Sequence, residues 1–220
     1  MSFLDPLRRF YQSIFPPYEK ELVKALEGST SILDVGCGSH SPVGLLRGKA
    51  RLVCIDAHDG SVKKSQERGI HDEYHVHDVL KIQELFKPGS FDSVAALDLI
   101  EHLEKQDGLH LLDVMERIAA KKVVVFTPNG FLPQGEYDSN PWQVHRSGWT
   151  VAEMKSRGYD VIGINGWRPL RGELGYVRYK PAWFWIIFSD ISQLFLRGHP
   201  EKAFQILCVK HQIPAASPGK

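Results

Sequence analysis

Residues 31–38, SILDVGCG, constrain the fold more than any other stretch. A short apolar run that stops on two glycines, one residue apart, reads as a buried strand entering a tight turn. Glycines there also let the backbone approach a ligand closely. The same plan recurs down the chain. Apolar runs at 51–55 (RLVCI), 73–76, 93–97 (SVAAL) and 122–126 (KVVVF) alternate with helical patterns at 62–68, 82–86, 103–119 and 151–157, and a further helix is expected at 18–26 before Gly28. Strands alternating with helices predict an α/β fold, a mostly parallel sheet with helices on both faces. Runs at 161–164 and 204–209 add two strands. The insertion between them, of about 35 residues, is long enough to need a helix and a task of its own.

A chain of 220 residues favours one core. The expected layout is a single domain over 1–213, with a helical cap at 1–28, a lid or acceptor insertion at 168–200, and a frayed tail at 214–220. Lys plus Arg number 27 against 26 Asp plus Glu. A net charge of +1 gives no field for bulk nucleic-acid binding. The first twenty residues hold Asp5 and two arginines within their apolar stretch and do not read as a signal peptide, so a cytoplasmic location is expected. The apolar run 182–196 is too short, and with Asp190 and Gln193 too polar, to span a bilayer, though not to lie on one. Cys37, Cys54 and Cys208 form no CxxC pair and are odd in number; free thiols are expected, with no structural zinc.

Open parallel sheets bind ligands beyond the carboxyl ends of their strands. Those ends are polar here: Asp34 before Gly36-Cys37-Gly38, then Asp56, then His77-Asp78-Val79, then Asp98 followed by Glu101 and His102. A dinucleotide fingerprint needs a third glycine at position 41, where this chain has Ser41. Asp56, 18 residues past Gly38, stands where a carboxylate accepts from ribose hydroxyls.

With those residues in view, the chain resembles the class I methyltransferases that use S-adenosylmethionine, from about residue 31 to 210. ILDVGCG looks like their first motif, CIDAHD their acidic second, HDVL their adenine-facing third, and FDSVAALDLIEHL their fourth strand and its loop. The resemblance implies a Rossmann-like seven-stranded sheet whose last strand is antiparallel. It also implies that Gly36 and Gly38 lie beside the methionine portion, Asp34 toward its amino group and Asp56 on the ribose. Asp78 and Val79 fall at the adenine, and Leu97 at the amino end. A cofactor without phosphate needs no pyrophosphate clamp, so the missing glycine is consistent with it.

The sulfonium already activates its methyl group, so the protein must position an acceptor and, for a neutral one, remove a proton. His102 and His145 are the candidate bases; His58, His71, His75, His199 and His211 have no motif context. Asp98-Leu99-Ile100-Glu101-His102 also resembles an acidic-x-x-Glu-His element of relatives that methylate quinone precursors or RNA ends. That implies Asp98, Glu101, His102 and His145 as possible ligands of a divalent metal, with Asp98 one methylene shorter than the usual Glu. Asn129, in Thr127-Pro128-Asn129-Gly130, is either a turn residue or an amide that orients the acceptor.

The insertion carries Arg168, Arg171, Arg178 and Lys180 against Glu173, followed by PAWFWIIFSDISQLFLR. It is expected as a lid helix packed on the core, or as a seat for an amphiphilic acceptor with peripheral membrane contact through 168–196. The function expected is S-adenosylmethionine-dependent methyl transfer to a small-molecule or lipid-linked acceptor, at oxygen, as in the quinone-precursor O-methyltransferases. The alternatives are an RNA methyltransferase and a non-catalytic binding protein of the same fold.

Overall fold

Successive side chains of a strand point to opposite faces, and in this chain both faces are apolar. The computed structural model describes residues 18–136, 141–172 and 175–212. Its strands are β1 (Ser31–Val35), β2 (Arg51–Asp56), β3 (Glu73–Val76), β4 (Phe91–Leu97), β5 (Ala119–Pro128), β6 (Asp160–Trp167) and β7 (Ala203–His211). They form one sheet in the order β3-β2-β1-β4-β5-β7-β6. The first five are parallel, and β7 runs antiparallel to both β5 and β6. Strand order reverses between β1 and β4, which places the ligand crevice at their carboxyl ends.

The helices are α1 (Tyr18–Ala25), α2 (Asp59–Glu67), α3 (Lys105–Ile118), α4 (Val151–Ser156) and α5 (Ala182–Leu196). On one face Leu33, Val35, Val94, Ala96, Val123 and Val125 pack with α3, whose Leu111, Leu112, Met115 and Ile118 recur at helical spacing. Each such side chain contributes about 1.5–3 kcal/mol by leaving water. On the other face Ile32, Leu52, Ala95, Val124 and Phe126 meet Leu22 of α1 and Leu26 just beyond it. α4 starts from a capping box in which Thr150 and Glu153 satisfy each other's backbone N–H.

The seven expected strands are present, most of them longer than expected. β4 begins at Phe91 because Asp92, which reads as loop, accepts from Thr30 N and Thr30 Oγ1 at 2.8 and 2.7 Å beside β1. The helix expected at 82–86 is instead a 3-10 stretch, Val79–Glu84, started by Asp78 accepting from Leu80 N; Lys81 departs from helical angles. Residues 1–17 of the expected cap and the tail from 213 lie outside the described residues.

Two expectations are overturned. Cys37 and Cys54 are disulfide-bonded, and only Cys208 is free. β1 and β2 are adjacent and parallel, and the turn after β1 brings the two Cα atoms to 5.6 Å. A cysteine count is blind to that adjacency. The 182–196 run does form one helix, but its aromatics do not pack into the core: Ser189 and Leu196 are its buried residues.

Candidate active site

The turn after β1 is built around Asp56. Gly36 and Gly38 take φ of 68° and 57°, which side chains on Cβ disfavour, and a Cβ on Gly36 would stand 2.6 Å from Leu99. Gly38 N donates to Asp56 Oδ2 at 2.9 Å, and His58 N to Asp56 Oδ1 at 2.8 Å. Two backbone donors thus fix the carboxylate, and each oxygen retains a lone pair for a ligand hydroxyl. A Cβ on Gly38 would meet nothing within 4 Å, so the turn is open on its cavity side.

Asp34, four-fifths of the way along β1, is 1% exposed. His71 Nε2 lies 2.8 Å from its Oδ2, while its Oδ1 is buried without a partner among the described residues. His71 is in turn held through Nδ1 near Ser65 Oγ (3.3 Å) and through its backbone N–H, which donates to Tyr74 Oη at 2.7 Å. This histidine, which lacks motif context in the sequence, is what orients Asp34.

At the end of β4 Asp98 adopts φ of 48°, uncommon for a residue with a side chain. Its N–H donates to Phe126 O at 2.8 Å and its Oδ1 accepts from Gln205 Nε2 at 3.1 Å. Asp98 faces the open cavity, whereas Glu101 beneath it is 2% exposed and accepts from Thr127 Oγ1 at 2.9 Å. Burial pushes the Glu101 carboxyl well above the carboxylate range, and the charge of Asp98 adds to the shift.

His102 and His145 sit beside this pair with ring centroids 4.8 Å apart. His145 Nδ1 is 2.6 Å from Leu132 O, and His102 Nδ1 is 3.3 Å from Val144 O. Carbonyl oxygens only accept, so each Nδ1 carries the hydrogen and each Nε2 keeps its lone pair. Burial holds both imidazoles below their usual range; with the charge of His145 added, His102 falls to about 4. Both rings are neutral at pH 7. Ligand atoms of Glu101, His102 and His145 lie within 4.8 Å of one another, and Asp98 is outside that cluster.

One cavity of about 860 Å³ joins these groups. Every residue expected at the cofactor (Asp34, Gly36, Gly38, Asp56, Asp78, Val79, Leu97) borders it, as do Asp98, Glu101, His102 and His145. Asn129 does not orient an acceptor: it is 6% exposed, and its Nδ2 faces the carbonyls of Pro200, Glu201 and Ala203 at 3.0–3.1 Å, pinning the approach to β7. Of the insertion, Gly175 borders the cavity, and no α5 residue does. Tyr18 and Gln205 line it without having been singled out in the sequence. Tyr18 stacks on Phe126 at 4.5 Å between centroids, and burial raises its phenol. Gln205 had a signal, a lone amide in the apolar run of β7.

The family model described as a methyltransferase domain matches residues 33–127, from β1 through β5. No curated protein matches the sequence significantly. Among solved structures, a SAM-dependent methyltransferase from Archaeoglobus fulgidus aligns over 93% of this chain and 99% of its own, at 13% identity and a TM-score of 0.56. Phosphoethanolamine N-methyltransferase 2 of Haemonchus contortus, in complex with S-adenosyl-L-methionine, aligns over 93% of this chain at 15% identity and a TM-score of 0.57. This chain spans only 56% of that enzyme, and 58% of the PH0226 protein of Pyrococcus horikoshii OT3, which aligns over 54% of this chain at 23% identity and a TM-score of 0.47. The domain match over residues 33–127 and the seven-strand order give the chain the fold of the class I S-adenosylmethionine-dependent methyltransferases. No helix among the described residues is long and apolar enough to cross a membrane.

Proposed function

We propose that this chain transfers the methyl group of S-adenosylmethionine to an oxygen of a small or lipid-linked acceptor. The observation that carries the reading is that the carboxylates suited to the cofactor and two neutral imidazoles border one cavity. The residues fit the cofactor: Asp34 Oδ1 is a buried acceptor awaiting a donor such as an ammonium group, and Asp56 stands preorganised for two hydroxyls. Asp78 and Val79 would hold the adenine, and Leu97 the amino end, beside Gly36 and Gly38. When bound, S-adenosylmethionine supplies an electrophilic methyl group on a sulfonium.

The chain's own part is to place the acceptor and take its proton. His145 or His102 accepts the hydroxyl proton on Nε2 as the oxygen–carbon bond forms and the sulfur–carbon bond breaks. Ordering the acceptor between Leu132, Gln134, Trp142 and the imidazoles converts encounter into an in-line reaction. The test is a transfer assay with labelled methyl donor against fractionated cell extract. Label in the small-molecule or lipid fraction supports the reading, and label in RNA alone overturns it. Absence of S-adenosylmethionine binding by calorimetry would leave a non-catalytic protein.

A divalent ion is the second reading, favoured by the proximity of Glu101, His102 and His145. These three would hold it, with Asp98 left to Gln205, and it would supply Lewis-acid activation of the acceptor oxygen. Loss of transfer in chelator separates this reading from the first.

A further inference from the structure

Helix α5 is attached to the sheet by its polar side. Ser192 Oγ accepts from Trp167 N at 3.1 Å; Gln193 Oε1 accepts from Gly166 N at 2.9 Å while its Nε2 donates to Gly163 O at 2.7 Å. Ser189 Oγ accepts from Arg171 Nη2 at 3.0 Å. The approach is close: a Cβ on Gly166 would stand 2.1 Å from Ser189 Oγ, and one on Gly163 2.2 Å from Leu196 O. These bonds fix the rotation of the helix, and its apolar side is therefore turned outward. Phe195 is 70% and Trp183 65% exposed, with Phe184, Ile187, Ile191 and Leu194 exposed between them. A helix on a water-soluble surface has the reverse arrangement, and a contiguous apolar face of this kind marks an interaction surface.

We propose that α5 is an interfacial membrane helix, which lies in the headgroup region of an anionic bilayer with its apolar side buried among the acyl chains. The fringe of the face selects lipid over protein. Arg168, Arg178 and Lys180 are exposed in the stretch before the helix, Arg197 just after it is exposed but paired with Glu21 at 3.0 Å, and Asp190 is the acidic residue of α5. Tyr176 and Tyr179 stand exposed just before the helix, with Trp167 at the end of β6. Cations and amphipathic aromatics around an apolar stripe match the headgroup level of a bilayer. At 15 residues the helix is about 22 Å long, too short to cross a hydrocarbon core of about 30 Å but long enough to lie along its surface.

The seat of the helix also sets its direction. Ser189 meets Gly166 near the carboxyl end of β6, and Leu196 meets Gly163 further back, so the residues before Ser189 project past the carboxyl edge of the sheet by about 10 Å. That is the edge where the cavity lies. A bilayer held there would deliver an amphiphilic acceptor to the cavity, a consequence that rests on the proposed function; the docking itself does not.

The full chain is tested by flotation with vesicles of phosphatidylglycerol and phosphatidylcholine, and of phosphatidylcholine alone. Binding is expected on the anionic vesicles, with tryptophan emission quenched by brominated lipid. Trp183→Asp and Phe195→Asp should each reduce binding at least tenfold with Tm unchanged, because both side chains already face water. Arg178→Gln and Lys180→Gln should each reduce it about fivefold on anionic vesicles only. The proposal is overturned if the full chain binds neither vesicle. It is equally overturned if the chain is a dimer that the two Asp variants dissociate, or if vesicles are bound only after removal of residues 1–17. S-adenosylmethionine affinity, measured by calorimetry on the same variants, should not move; its absence in every variant and in the parent would refute the proposed function and leave the docking result standing.

Discussion

His71 and Asp34 form a buried pair, 2.8 Å apart, across 37 residues of sequence, and the pairing leaves one Asp34 oxygen unused. The pair gives β1 a preset acceptor that borders the cavity. His71→Ala is expected to lower stability by about 1–3 kcal/mol, the range for stranding a buried polar group. It should also weaken S-adenosylmethionine binding through loss of Asp34 orientation. Thermal unfolding and calorimetry read the two effects separately, and normal affinity in a destabilised variant would confine His71 to a structural part.

Asp56→Ala should weaken S-adenosylmethionine binding by about 2 kcal/mol or more, since two hydroxyls lose a charged acceptor. Gly38 N and His58 N also lose theirs, so Asp56→Asn, which keeps one acceptor oxygen, should fall between the parent and the alanine variant. Equal dissociation constants for all three would remove Asp56 from the cofactor site.

The rate profile gives a third prediction. A base works in its neutral form, so the rate falls as pH drops through its folded pKa. Burial disfavours the imidazolium and lowers that pKa in both histidines. The acid limb of kcat should therefore lie below the ordinary imidazole value of about 6.5, near 4 if His102 is the base. A limb at 6.5 or above would point to a different group.

Chelation separates the two readings of the same side chains. If His102 and His145 act as bases alone, transfer persists in excess chelator. Loss of transfer, restored by Mg²⁺, Mn²⁺ or Zn²⁺ in the parent but not in His145→Ala, would establish the metal.

Asp92 supplies a prediction on stability. Its carboxyl is partly desolvated, which opposes ionisation, but the bonds from Thr30 and Lys121 prevail and lower its pKa. A depressed folded pKa contributes stability above the unfolded value of about 3.9, and that contribution disappears as pH falls through the folded one. Asp92→Asn should thus lower Tm at pH 7, and the gap to the parent should close below pH 4.

Much of the candidate site was legible because it lies on the chain in single steps: β1 to β4 each end on residues that border the cavity, so reading along to Val35, Ile55, Val76 and Leu97 and just past them finds them. What was hidden involves partners distant in sequence. Nothing near His71 announces Asp34, and nothing near Cys37 announces Cys54. Asp98 and Glu101 read as parallel candidates, but the φ of Asp98 and the amide of Gln205 separate their settings. For α5 the hydropathy told that the run is apolar and helical. Which side faces the sheet depended on Ser189, Ser192 and Gln193 finding backbone partners on β6, and no pattern of apolar residues records that.

The stretch around His145 is bonded to the loop after β4: Arg146 N and Ser147 N both donate to Glu101 O, at 2.8 and 3.1 Å, and Ser147 Oγ and Trp149 Nε1 donate to Ile100 O. The stretch that carries His145 and the loop that carries Glu101 and His102 are therefore tied into one body. Any redesign of the stretch around His145 would have to carry residues 145–149 over as a unit, with the Ile100 and Glu101 carbonyls kept as its sockets.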